Sequence, residues 1–561
     1  MLRWKATAAF VLLGLSGLVA GAAREAAESA TRATPAARPN VVVIMTDDQT
    51  LESVRVMANV RRLLAAQGTT FANSFVSFSL CCPSRATFLT GQYNHNNGVM
   101  GNQAPDGGYY KLDGSNTLPV WLQRAGYYTA HIGKYLNGYG TRNPTEVPPG
   151  WSEWRGSVDP TTYRFYGYTL NEGGTLRAYG SDGASYQADV YTDKAVDLIR
   201  RRAPQSQPFF LSLAYLAPHS GGPREPGDPR MATPVPAPRH RDRFASEPLP
   251  APPSFNEADV SDKPAGIRGR RVLRPAQVAQ IRELYQQRLE SLLAVDEGVA
   301  RIVAELERLG ELDDTLIVFT SDNGFFHGEH RVPNGKVLHY EPSSRVPLVL
   351  RGPGVPRGRT LSQLVANIDV APTIVDAARA TPGRRLDGRS LLPLLRDPGR
   401  SWGRDVLLQR GGPAAQVFQA LRTPRYKYVE HGNGERELYD LASDPHELQS
   451  RHGDAGLGAL RAELARRLAG LRRCAGSTCK LGPRVAPRAR CLPSRVTVSL
   501  TGADVRWVRR VDFLAGGRRL ASDTRAPFAR TISARPRAML RVRSTFADGR
   551  VATQDRRLPA C

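Results

Sequence analysis

Beyond its first two dozen residues the chain lacks any apolar run long enough to cross a membrane as a helix, which excludes a helical membrane protein over that span. The one candidate run, Ala8 to Val19, follows Arg3 and Lys5 and leads into Ala20-Gly21-Ala22. That is the pattern of a secretory signal peptide. Residues 1–22 are therefore predicted to be cleaved, giving a secreted or periplasmic protein with no stable membrane insertion afterwards. No internal repeat is evident. Lysine is scarce: of 77 basic residues only eight are lysine, so arginine carries the net charge of +25. Such an excess suits a polyanionic partner. An arginine bias throughout the sequence accounts for it too, and export argues against nucleic acid. Cysteine is sparse as well. Of six, Cys81 and Cys82 are adjacent, and Cys474, Cys479, Cys491 and Cys561 gather near the C-terminus. In an exported protein these four read as disulfides, most simply Cys474–Cys479 and Cys491–Cys561.

A length of 561 residues allows roughly two to four domains. Residues 23–38 are Ala/Arg-rich and read as a disordered linker. At Asn40 the texture changes. Val41 to Met45 is a continuous, mostly β-branched run, the signature of a strand buried on both faces. Leu316 to Phe319 is a second such run, and Val346 to Leu350, weakened by Pro347, a third. Helical patterns cover Val54–Gln67, Gln187–Arg202 and Pro275–Leu309. This alternation predicts an α/β domain with a mostly parallel sheet over residues 39–400. Residues 217–266 are rich in Pro and Arg without periodicity, and read either as a loop beside the active site or as a plain surface excursion.

Over 401–475, short antiparallel strands near Arg425–Val429 and Glu437–Leu441 precede a helix around Gly456–Arg473, predicting a smaller C-terminal α+β subdomain. Alternating segments within 490–561 predict a small β-sandwich-like accessory module. Residues 480–561 hold 19 basic against five acidic side chains. They suit an anionic glycan, or simply form a solvated surface.

The two clearest buried strands end alike. Val41–Met45 runs into Thr46-Asp47-Asp48, and Leu316–Phe319 into Thr320-Ser321-Asp322-Asn323. Ligands of open α/β sheets bind beyond the carboxyl ends of the strands. Three carboxylates and an amide crowded there repel unless a cation joins them, and all-oxygen donors suit calcium or magnesium. Capping of following helices by Asp47 and Asp322 is the plainer reading of each pair alone. Cys81 stands before a short helical segment with Pro83 in its first turn and Gly91 at its end. A helix N-terminus favours an anion. On these grounds Cys81 is either a reactive thiolate or half of a strained disulfide with Cys82.

Cys81-Cys82-Pro83-Ser84-Arg85 followed by Leu89-Thr90-Gly91 resembles the signature of the formylglycine-dependent sulfatases. Further family landmarks follow in order: Asp47-Asp48, Gly133-Lys134-Tyr135, Pro218-His219, Asp322-Asn323-Gly324, Lys336, Asp387-Gly388-Arg389, and Glu437-Leu438-Tyr439-Asp440-Leu441. The similarity spans residues 38–450, and within the family it is most like the N-acetylglucosamine-6-sulfatases. The resemblance implies an alkaline-phosphatase-like fold and oxidation of Cys81 to formylglycine by a formylglycine-generating enzyme. It implies a divalent ion, Ca2+ or Mg2+, held by Asp47, Asp48, Asp322, Asn323 and residue 81. It implies that the hydrated aldehyde attacks sulfur of a sulfated carbohydrate, that Arg85 orients it, that Lys134 and Lys336 hold sulfate oxygens, and that His219 protonates the leaving oxygen or binds sulfate. Two of only eight lysines fall at these positions. Leu136 stands where many arylsulfatases have histidine, leaving the base for sulfate release unassigned. His131 is either that base or a core residue, and His327 and His330 read as neighbours of the site or surface. Two rivals remain open: a phosphonate or phosphoester hydrolase of the same superfamily, and a non-catalytic sulfated-glycan-binding protein.

Overall fold

The computed structural model describes residues 38–412, 416–492, 495–533 and 537–559. The expected signal peptide and all of the expected linker but its last residue lie outside them. Ten strands form one sheet: β1 (Asn40–Thr46), β2 (Thr69–Phe75), β3 (Tyr128–Gly133), β4 (Glu153–Ser157), β5 (Thr169–Glu172), β6 (Thr175–Ala178), β7 (Phe209–Ala214), β8 (Thr315–Ser321), β9 (Leu348–Arg351) and β10 (Arg359–Ala366). Their order is β10-β2-β9-β8-β1-β7-β3-β4-β5-β6. The central run β8-β1-β7-β3-β4 is parallel throughout.

Side-chain alternation explains the unbroken apolar runs. Val41, Val43 and Met45 of β1 enter one core together with Leu316 and Val318 of β8. Val42 and Ile44 enter the opposite core with Ile317 and Phe319. A strand covered on both faces has no polar side to show. Helices Cys81–Thr90 and Val370–Ala378 cover the first face, and Gln187–Arg202 and Pro275–Arg308 the second.

The helix expected over Val54–Gln67 is instead a 3-10 turn at Glu52–Val56 and a π-helical stretch at Val60–Ala65. Asp296 accepts hydrogen bonds from the backbone N–H of Asn59 (2.9 Å) and Val60 (2.8 Å), so a tertiary cap splits the segment. Pro347 likewise holds back the third run, which becomes strand only at Leu348.

After residue 400, strands β11 (Val406–Arg410), β12 (Phe418–Arg422), β13 (Tyr426–His431) and β14 (Arg436–Asp440) form an antiparallel sheet, followed by helix Gly458–Leu471. A disulfide joins Cys474 and Cys479. Cys561, the expected partner of Cys491, lies outside the described residues. Two further antiparallel sheets close the chain. One contains β15 (Ala486–Leu492), β16 (Arg495–Thr501) and β19 (Ala529–Ile532). The other contains β17 (Val508–Ala515), β18 (Arg518–Asp523), β20 (Met539–Phe546) and β21 (Val551–Arg557). They share a core that includes Val498, Phe513, Leu540 and Val542, as a sandwich requires. Among the described residues no helix is long and apolar enough to cross a membrane.

Candidate active site

Strands β1 and β8 pair in register from Asn40↔Thr315 to Thr46↔Ser321. Their ends therefore deliver Asp47-Asp48 and Asp322-Asn323 to one point, where all four are buried. Asp48 adopts φ +67°, a left-handed conformation costly for most side chains but tolerated by aspartate. Its N–H donates to Asp322 Oδ1 at 3.1 Å. Strand β3 brings Lys134 to the same place by a turn at Gly133, where φ is +101° and a Cβ would lie 2.1 Å from the Ala214 carbonyl. Only glycine fits there.

Helix Cys81–Thr90 ends at Gly91, φ +62°. Cys81 and Arg85, four residues apart, share a face. Arg85 donates through Nε to Asp322 (2.7 Å), through Nη2 to Asp47 (3.2 Å) and through Nη1 to the Lys134 carbonyl (2.7 Å). Lys134 Nζ donates to Asp47 and Lys336 Nζ to Asp48. Lys336 Nζ also lies 2.9 Å from Cys81 Sγ, which contacts Asp47 Oδ1 at 3.4 Å. His219 Nε2 stands 3.7 Å from Asp48 Oδ2. The nine residues that the resemblance assigns to the metal and the nucleophile, Asp47, Asp48, Cys81, Arg85, Lys134, His219, Asp322, Asn323 and Lys336, thus meet in one cluster.

Three carboxylates face three cationic side chains. Burial opposes ionisation of Asp47, but Lys134, His219, Arg85 and Lys336 outweigh it and hold its carboxyl well below the usual range. Burial, together with Asp47, pushes Asp322 up to about 6 against the pull of Arg85. Burial pulls His219 down to about 4, although Asp48 and Asp47 oppose it.

Cys81 and Cys82 are both free, so the vicinal disulfide is absent. The unmodified Cys81 thiol is pushed up to about 12 by burial and then by Asp47. A reactive thiolate is disfavoured, because burial and Asp47 together outweigh the pull of Lys134 and Lys336.

Asp47, Asp48, Cys81 and His219 each offer a ligand atom within 4.8 Å of the others. Asn323 Oδ1, fully buried, has no hydrogen-bond donor, while its Nδ2 donates to Asp48 at 2.6 Å. A spare amide oxygen among carboxylates fits an oxygen-liganded divalent cation.

His131 is a core residue, stacked on Trp154 at 4.8 Å with Nδ1 at 3.2 Å from Ser212 Oγ. His330 Nδ1 pairs with Glu257 at 2.6 Å, and His327 packs between Tyr285 and Phe325. Both are buried rather than superficial, and neither touches the cluster. Two further participants carried no sequence signal. Arg288, in the middle of a long helix, donates to the Asp48 and Pro218 carbonyls from a buried position. Tyr163 places its ring 4.5 Å from Lys134 Nζ and 5.2 Å from the His219 ring. Tyr163 also lines a cleft of about 540 Å3 with Asn102, Tyr110, Asn137, Arg142 and Asp159. The segment 140–186 contributes to this cleft and 217–266 does not.

An α/β sheet with such a cluster at its carboxyl edge is a frame that suits an ester hydrolase. The sulfatase family model matches residues 39–380, and one described as N-sulphoglucosamine sulphohydrolase, C-terminal, matches 328–474. The chain belongs to the sulfatase family. It is 33% identical to an arylsulfatase of Volvox carteri over 84% of this chain and 78% of that protein. It is 32% identical to N-acetylglucosamine-6-sulfatase of Capra hircus over 80% and 86% of the two. A solved structure of a protein in complex with its substrate D-glucosamine-2-N,6-O-disulfate superposes with TM-score 0.66 and 27% identity, covering 79% of this chain and 98% of that one. The phosphonate monoester hydrolase of Agrobacterium radiobacter shares the fold at 23% identity, TM-score 0.59, over 78% and 95% of the chains.

Proposed function

We propose that this protein hydrolyses a sulfate ester on an amino sugar of a glycosaminoglycan-like chain, after Cys81 has been converted to formylglycine. The observation that carries the reading is the convergence on Cys81 of Lys336 at 2.9 Å and Asp47 at 3.4 Å, each from a different segment. A cysteine meant as a thiolate nucleophile would sit apart from carboxylates. One meant to be replaced by an oxygen nucleophile sits among them. The names of the N-acetylglucosamine-6-sulfatase relatives and the disulfated glucosamine of the structural neighbour support the sugar class. A leader at residues 1–22 and export to the periplasm or medium accord with such a substrate.

Asp47, Asp48, Asp322 and Asn323 would hold Ca2+ or Mg2+. The bound ion would supply Lewis-acid polarisation of the sulfate group. Formylglycine, as its hydrate, supplies the oxygen nucleophile. The chain's own residues do the rest. Arg85, anchored on Asp47 and Asp322, orients residue 81 from one helical turn away. Lys134 and Lys336 turn their ammonium groups to the sulfate oxygens, where compact point charges act without reorganisation. His219, partly exposed at the cluster's edge and held neutral by burial, takes up a proton as the anionic sulfate group binds and passes it to the leaving sugar oxygen. Tyr163 and Asn137 border the cleft in which the sugar lies.

The deciding experiment pairs two measurements on protein from its native host. Mass spectrometry of the peptide holding residue 81 is expected to show formylglycine, and turnover of an aryl sulfate is expected to exceed that of an aryl phosphonate. An unmodified thiol would favour a glycan-binding protein, and a phosphonate preference would favour the phosphonate hydrolases.

A further inference from the structure

A second cleft, of about 550 Å3, lies at the β10 edge of the large sheet. Gln363 and Leu364 of β10, the segment around Trp402, and the C-terminal strands through Arg543 of β20 and the turn at Gly549 enclose it. Four arginines line this cleft, Arg400, Arg404, Arg543 and Arg550, and no carboxylate does.

Two of the four are buried and only half paired. Arg404 is 2% exposed, donates through Nη1 to Asp369 at 2.7 Å and lies beside the Tyr93 hydroxyl, with no well-formed hydrogen bond from Nε or Nη2. Arg550 is 5% exposed and donates through Nε to Asp548 at 2.8 Å, leaving Nη2 without one. Arg400 and Arg543 are exposed, and among the described residues neither has an ion-pair partner. A general arginine bias explains exposed arginines. It does not explain buried guanidinium donors left without a full set of acceptors beside a cleft free of carboxylates, since such a donor is costly unless an acceptor arrives.

We propose that this cleft is an accessory binding site for the oxyanion groups, sulfate or carboxylate, of a polyanionic glycan. The forked guanidinium matches the geometry of both oxyanions. The C-terminal strands supply Arg543 and Arg550, so they complete a site that the sheet edge alone lacks. The inference rests on the reading above that the substrate is a sulfated sugar chain.

The test uses the full-length enzyme and a heparin octasaccharide, with an unsulfated uronate-bearing octasaccharide beside it. Arg400→Ala combined with Arg543→Ala is expected to weaken binding of the sulfated chain about tenfold and to flatten its salt dependence. KM for the polymer should rise in step, with kcat/KM for a small aryl sulfate unchanged within about twofold. Arg543→Gln alone, at an exposed strand position, is expected to give a smaller loss of the same kind and guards against misfolding of the double variant. Equal affinity of parent and both variants for the sulfated chain overturns the proposal. Comparable affinity of the parent for the unsulfated chain assigns the site to carboxylates, and a large preference for the sulfated chain assigns it to sulfate. Failure of the parent to turn over aryl sulfate would instead strike the proposed function, and the binding comparison would stand apart from it.

Discussion

The carboxylates at the ends of β1 and β8 and the carboxylate of Glu437 are all buried, yet they are partnered in opposite ways. Glu437 Oε1 meets His339 Nε2 at 2.8 Å and His431 Nε2 at 2.7 Å. Its Oε2 accepts from Tyr340 Oη at 2.8 Å and from Tyr439 Oη. Every lone pair is engaged, and the network ties β13 and β14 to the segment after Lys336. The Asp47–Asp322 cluster instead leaves Asn323 Oδ1 without a donor, and its Lys134 Nζ lies 4.5 Å from the ring of Tyr163, which lines the cleft. A carboxylate with every lone pair engaged holds a fold together, whereas an amide oxygen left open among carboxylates has room for a ligand.

The sharpest way to break this contrast is at residue 81. Cys81→Ala is expected to lower aryl sulfate turnover by about 10⁴-fold or more, with an unchanged melting profile. Persistent activity would remove Cys81 from the nucleophile's place. Chelation by EDTA should lower turnover by about 10³-fold, with recovery on adding Ca2+ or Mg2+. Indifference to chelator would return the cluster to a purely structural role like that of Glu437.

A smaller effect is expected at His219. His219→Gln should reduce kcat on a sugar sulfate by about 10²-fold and on an activated aryl sulfate far less, because a good leaving group needs no proton. Equal losses on both would make His219 a sulfate-binding group instead.

The Glu437 cluster should respond in stability and hardly in turnover. Glu437→Gln is expected to cost about 3 kcal/mol in denaturant titration, with aryl sulfate turnover within about threefold of the parent. Burial would raise Glu437, but the imidazoles of His339 and His431 outweigh it and hold its carboxyl well below the usual range. A carboxylate depressed on folding contributes stability that is complete above its unfolded value, about 4.3. That contribution is lost as pH falls through the lower folded value. The parent's denaturation midpoint should therefore drop below about pH 4.5 more steeply than that of Glu437→Gln.

Much of the site was legible in the chain because the motif residues lie where strands end. Uninterrupted runs at Val41–Met45 and Leu316–Phe319 announce strands covered on both faces, and the aspartates after them fall at the carboxyl edge. Cys81 and Arg85 read as one unit through the family signature, and the structure adds the helical turn that brings them to one face. The split at Asn59 was not legible, since it depends on a hydrogen bond from the Asn59 N–H to a carboxylate more than 200 positions away. Arg288 was hidden within an amphipathic helix, where an arginine ordinarily reads as solvated surface. Tyr163 lay in a segment without periodicity.

By itself the sequence determined the α/β plan, the positions of the catalytic candidates and the resemblance on which Cys81 is proposed as a formylglycine precursor. These are local properties of strand alternation and motif spacing. Tertiary structure alone decided the protonation preferences of Asp47 and Asp322, the neutrality of the Cys81 thiol and the core role of His131. It also decided which buried polar groups are saturated at Glu437 and which are left open at Asn323, Arg404 and Arg550. Burial and charge depend on what surrounds a residue in space, and its neighbours in the chain do not specify that.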